Sequence, residues 1–185
     1  MTTTTQLSEL TGDYIIDAAH SKIGFVAQDA TATKVHGQFD DAEGSAYLDG
    51  DDPTKSSARL AISAKSVQTR NQLRDRHLRS KFLDADHHPV IAFASTTVEQ
   101  LDEVNFRVSG DMTIRGVTKP VTVDFELIGA GSDASANFRV EFAGRATINR
   151  NDWGVNWNAV TGVLVRETVH VELSVTAIRQ TSRGR

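Results

Sequence analysis

At 185 residues and 20.1 kDa the chain is long enough for one domain with its own hydrophobic core. Hydrophobic residues make up 39% and charged residues 24%, as in an ordinary globular protein, and the net charge of −4 argues against a protein-wide nucleic-acid or anionic-membrane footprint. The absence of Cys excludes disulfides, thiolate nucleophiles and Cys-ligated zinc, while three Pro beside thirteen Gly point to strands bent by glycine.

Met1 to Gly12 (MTTTTQLSELTG) carries neither a basic stretch nor an apolar one, so residues 1–11 are expected to be a flexible tail and the protein cytoplasmic. Apolar and polar residues then alternate over Tyr14 to Ile16, Ile23 to Ala27, Val35 to Phe39, Ala58 to Ala64 and Ile91 to Thr97. The alternation is stronger over Val104 to Ile114, Val121 to Leu127, Phe138 to Ile148 and Val169 to Val175. In the first of these, Val104, Phe106, Val108, Met112 and Ile114 face one way, and Asn105, Arg107, Ser109, Asp111 and Thr113 the other. A period of two is the mark of a strand with one dry and one wet face. Roughly eight or nine such strands imply an antiparallel sheet that closes into a barrel or folds into a sandwich.

Ser66 to Leu83 (SVQTRNQLRDRHLRSKFL) breaks the pattern and predicts a short helix capped by Thr69 or Asn71. Leu73, His77, Leu78 and Phe82 supply its apolar stripe, and such a helix suits a lid over one end of a barrel. Gln180 to Arg185 (QTSRGR) reads as a second tail, which leaves residues 12–179 as the domain. No apolar run reaches bilayer-spanning length, so no stable membrane insertion is expected.

Barrels of about eight strands are either filled by side chains or hold one ligand. Gly37, Gly110 and Gly144 interrupt the dry register, either leaving volume in a lumen or relieving strand curvature. The expected lumen wall comprises Phe25, Phe39, Ile62, Phe82, Phe93, Phe106, Val108, Met112, Val123, Phe125 and Phe142. Trp153 and Trp157 are expected at its mouth or on its wall, with packing alone as the equal alternative. So apolar a lining suits a hydrocarbon chain and suits acid–base chemistry poorly.

Three segments carry a family resemblance. Tyr14 to Phe39 holds an Asp-x-x-His-Ser opening at Asp17, His20 and Ser21, then Gly-x-Phe at Gly37 and Phe39. Arg74 to Ser95 reads RDRHLRSKFLDADHHPVIAFAS, and Gly110 to Gly129 reads GDMTIRGVTKPVTVDFELIG. In this order they resemble the YceI-like family of lipocalin-like lipid-binding proteins. The resemblance implies an all-β, extended eight-stranded antiparallel barrel with a short helical lid. It implies a polyisoprenoid, isoprenoid-quinone-like or other fatty amphiphile in the lumen, and no catalytic activity. Many members carry a His at the end of the second strand, where Asp29 stands here, and many are exported.

Arg70, Arg74, Arg76, Arg79 and Lys81 crowd the lid segment with positive charge, suited either to an anionic head group or to a solvated helix face. His20, Arg74, Asp75, His77 and Ser80 are the candidate head-group or lid residues, with hydrogen bonds that pin the lid as the alternative role. No aromatics interleave with the basic patch, so nucleic acid is not an expected partner. His87 and His88, preceded by Asp84 and Asp86, match no zinc spacing, so no metal or other cofactor is expected. The expected partner is thus a hydrophobic small molecule that a monomer or homodimer carries, stores or sequesters. Two readings compete: an enzyme acting on an amphiphile through His20 and His77, and a protein-interaction module with a solid barrel core.

Overall fold

The computed structural model describes residues 6–29, 31–155 and 165–181. Among these, eleven strands form one antiparallel sheet: β1 (Gly12–Ile16), β2 (Lys22–Asp29), β3 (Lys34–Phe39), β4 (Ala42–Leu48), β5 (Ser57–Ser63), β6 (Val67–Gln68), β7 (Val90–Gln100), β8 (Asn105–Ile114), β9 (Val117–Ser132), β10 (Phe138–Asn149) and β11 (Val165–Arg179). β1 and β2 pair with successive stretches of β11, Ile16 opposite Ala177 and Lys22 opposite Ser174, so together they are one long strand bent at Asp17–Ser21. β3 with β4, and β5 with β6, are bent in the same way. The result is a closed, up-and-down barrel of eight long antiparallel strands, sealed where β11 meets β1 and β2.

Two of these elements differ from the sequence expectation. β4 shows no apolar alternation because its inward residues are Ala42, Gly44, Ala46 and Leu48, nearly all small. β6 lies inside the segment expected to be helical, where Val67 pairs with Phe39. The α-helix itself is shorter, α1 (Gln72–His77), and continues as a π-turn over Leu78–Phe82. Asn71 caps it by accepting from the Arg74 N–H at 3.0 Å. Leu73 is 63% exposed and does not join the apolar stripe. The turn is anchored instead through a carboxylate: Asp75 is buried and accepts from the Thr69 N–H at 2.9 Å and the Thr69 hydroxyl at 2.5 Å.

In an up-and-down barrel alternate connections fall at opposite ends. The β2–β3, β6–β7, β8–β9 and β10–β11 connections share one end, and the helical segment lies there. This end is filled. Ile23, Ile62, Phe82, Ile114, Val121 and Trp153 form one buried cluster there, and the Trp153 indole N–H donates to the Met112 carbonyl at 2.9 Å. The β4–β5, β7–β8 and β9–β10 connections share the other end with the start of β1 and the finish of β11.

Each of the three connections at that second end is pinned by an aspartate that accepts backbone N–H groups. Asp49 holds Asp51 and Asp52, Asp102 holds Val104 and Asn105, and Asp133 holds Ser135 and Asn137. Leu7–Leu10, within the stretch expected as a tail, forms a 3-10 turn with Leu10 only 3% exposed. Its anchors are the Tyr14 hydroxyl, donating to the Leu10 carbonyl at 2.7 Å, and Arg179, donating to the Glu9 carbonyl at 2.8 Å. Single leucines without periodicity gave no local sign of this.

Candidate functional site: an apolar lumen open at one end

Between the filled end and the Asp-pinned connections the barrel is hollow. The cavity has a volume of about 200 Å³. Of the expected wall, Ile62, Phe93, Phe106, Val108, Met112, Val123, Phe125 and Phe142 line it. Phe93, Phe106, Met112, Phe125 and Phe142 point inward yet stay only half-buried, because part of their inner surface faces empty space. Phe142 meets both Phe125 and Phe106 edge-to-face, with ring centroids 6.2 and 6.4 Å apart.

Other expected wall residues lie elsewhere. Phe82 and Trp153 are buried in the filled end, and Phe25 and Phe39, with centroids 5.7 Å apart, stand outside the described cavity lining. Trp157 falls outside the described residues. Val140, Val171, Leu173 and Val175 also line the cavity and were legible as dry-face residues of β10 and β11. Leu7, Leu10 and Leu48 at the mouth were not.

The three dry-face glycines make room, but not as empty space. Phe25 lies opposite Gly37 and Phe125 opposite Gly144 as cross-strand partners, while Phe93 reaches diagonally over Gly110. A side-chain carbon on Gly144 would stand 2.6 Å from the Phe125 ring, and one on Gly110 would stand 2.6 Å from the Phe93 ring. The rings lie down on the wall where glycine leaves it bare, and the lumen beyond them stays open.

The expected head-group residues are not gathered at the mouth. Arg74 donates to the Thr69 hydroxyl and carbonyl, Asp75 holds Thr69, and Ser80 donates to the Arg76 carbonyl, all in the helical segment at the filled end. His77 is half-buried in that same segment. The segment is therefore a plug over the filled end, and its hydrogen bonds pin it. His20 is exposed at the bend between β1 and β2, with Nδ1 2.7 Å from Asp17. Arg139 bridges Asp17 at 2.6 Å and Asp133 at 2.5 Å. The Arg139 guanidinium, with backbone N–H groups of Asn137 and Ser135, holds the Asp133 carboxyl down at about 2.

The rim of the mouth is net acidic: Asp49 and Arg59 are on the cavity lining, and Asp51, Asp52, Lys55, Asp102 and Asp133 are on the connections at that end. The basic run of Arg70, Arg76, Arg79 and Lys81 sits at the far end. Asp84 and His87 pair at 2.7 Å on the surface, and among the described residues no group of three or more His, Asp or Glu is placed to hold a metal ion. Among the same residues no helix is long and apolar enough to cross a membrane.

Residues 14–177 match the YceI-like domain. A UPF0312 protein of Pseudomonas aeruginosa is 35% identical over 174 residues, covering 92% of this chain and 89% of the relative. One from Serratia proteamaculans is 37% identical over 151 residues, covering 80% and 78%. Among solved structures, BcnA of Burkholderia cenocepacia superposes with a TM-score of 0.78 at 21% identity, covering 87% of this chain and 98% of that one. A polyisoprenoid binding domain from Saccharophagus degradans gives 0.70 at 18% identity, covering 90% and 98%.

Proposed function

The chain belongs to the YceI-like family, and on that premise we propose that it binds a long-chain amphiphile, a polyisoprenoid or isoprenoid-quinone-like molecule, with its tail in the lumen. The observation that carries this reading is the hollow, aromatic-walled cavity open at one end. Burying about 400 Å² of hydrocarbon yields roughly 10 kcal/mol gross at about 25 cal/mol per Å². Association and ordering costs remove much of that, so tail burial alone accounts for micromolar affinity. The acidic rim favours an uncharged head such as an alcohol or a carbonyl over a phosphate. That a structural neighbour is a polyisoprenoid binding domain supports the same ligand class.

The protein carries, stores or sequesters this molecule without transforming it. The enzymatic alternative draws no support from the site, since His20 and His77 do not line the described cavity. The solid-core interaction module fits only the filled half of the barrel. Native mass spectrometry after gentle extraction, with and without an added prenyl alcohol or prenyl phosphate, tests the proposal. The prenyl alcohol is expected to bind, and more tightly than the phosphate. Phe142→Asp, which places a charge on the lumen wall, is expected to abolish binding in a protein that still folds. Absence of both copurified lipid and prenyl-alcohol binding overturns the reading.

A further inference from the structure

The cavity stops partway down the barrel, and its floor is made of residues that belong to both halves. Ile62, Val123 and Ala146 line the cavity and are also buried members of the filled cluster. Phe125 lines the cavity too and packs against that cluster from above. Val123 and Ala146 lie one inward position nearer the filled end than Phe125 and Gly144, so the Phe125 ring stands on the wall just above the floor, against the bare backbone of Gly144 across the strand pair.

A side-chain carbon at position 144 would stand 2.6 and 2.9 Å from two atoms of the Phe125 ring and 3.2 Å from the Leu173 Cβ. The ring lies on the wall and the lumen is open beyond it, so added bulk at 144 displaces the ring into the lumen, above Val123 and Ala146. Gly110 differs: a carbon there would also strike the Ala94 carbonyl, which belongs to the backbone and does not yield. Gly144 is thus the position where added bulk becomes lost depth rather than a broken sheet.

We infer that Gly144, by letting the Phe125 ring lie on the wall, keeps the deepest part of the lumen accessible and so sets the longest apolar tail the barrel accepts. The inference rests on the proposed tail-binding function and adds a chain-length limit to it. From Val140 near the mouth to Ala146 at the floor, β10 advances about 20 Å at ~3.3 Å per residue. With strands tilted by roughly 35–45°, that is about 15 Å along the barrel axis.

The test is a ladder of linear primary alcohols of increasing length, bound to the wild-type protein, Gly144→Val and Phe125→Ala, with circular dichroism and thermal melting to establish folding. Each methylene that enters the lumen tightens binding about fourfold, the equivalent of ~0.8 kcal/mol, and methylenes beyond the floor add little. The wild-type plot of affinity against length is expected to rise and then break. Gly144→Val is expected to move the break to shorter chains and Phe125→Ala to leave it in place, with the shortest alcohols binding all three proteins alike. An unmoved break in folded Gly144→Val overturns the depth assignment and leaves the tail-binding reading standing. Failure of every alcohol to bind the wild-type protein overturns that reading itself, and the depth assignment with it. Should Gly144→Val not fold, Gly144→Ala, whose single added carbon already meets the Phe125 ring, decides alone, and a break that does not shorten counts against the inference.

Discussion

Toward the helical segment, Trp153, Phe82, Ile114 and Val121 are pressed into a buried cluster, whereas toward the N-terminal strand Phe93, Phe106 and Phe142 occupy the same inner face and stay half-exposed. Both halves are built from inward-facing apolar residues on the same long strands. They differ in what covers them. At the filled end Phe82 enters from the π-turn and Trp153 from the 3-10 turn after β10, two bulky side chains that come from outside the strands. At the open end the connections are short or tied back on themselves by Asp49, Asp102 and Asp133; Leu10, Tyr14, Val140 and Ala177 form a smaller buried cluster on one side, and Leu7 and Pro53 border the cavity. A barrel of this size becomes container or core according to its connections.

The contrast is sharpest in the response to losing a large side chain. Trp153 is 2% exposed and its indole N–H is bonded, so Trp153→Ala is expected to cost about 3–5 kcal/mol in chemical denaturation. Phe106→Ala removes a ring already half-facing empty space and is expected to cost less than about 1.5 kcal/mol, while weakening ligand binding at least tenfold. Similar losses of stability at the two positions would erase the distinction between plug and wall.

Acid is expected to act on the open end with a smaller effect. The Asp133 carboxyl is held at about 2 against an ordinary 3.8, and Asp17, which shares Arg139, is lowered as well. A depressed carboxyl contributes its stabilisation above its unfolded value and loses it as pH falls through the folded one. Stability is therefore expected to drop as pH falls from 3.8 toward about 2, and Asp133→Asn to flatten that slope in acid-titrated denaturation curves. An unchanged slope would remove the Arg139 bridge from the forces that hold the β9–β10 connection.

Much of the fold was legible locally. Strand alternation reports on the two nearest faces of the chain, so β8 to β11 were readable from Phe106, Val123, Phe142, Val171 and their neighbours alone. β4 was not, because Ala42, Gly44 and Ala46 carry too little apolar surface to signal a buried face. The candidate site was legible as a set of inward residues but not as a cavity. Phe82 and Phe142 look alike in sequence, yet one fills the barrel and the other walls its hollow. The helical segment was legible as an interruption, while its end of the barrel follows from the order of strands.

By itself the sequence determined the strands, their inner faces, the apolar character of whatever they enclose and the family pattern at Asp17, His20, Arg74 to Ser95 and Gly110 to Gly129. These are properties of neighbours along the chain. The tertiary structure decided where the lumen begins and ends, which Phe rings lie flat on Gly37, Gly110 and Gly144, and that the basic segment sits opposite an acidic mouth. Those depend on residues brought together across strands, such as Phe125 and Gly144, whose contact is set by register and not by any local preference.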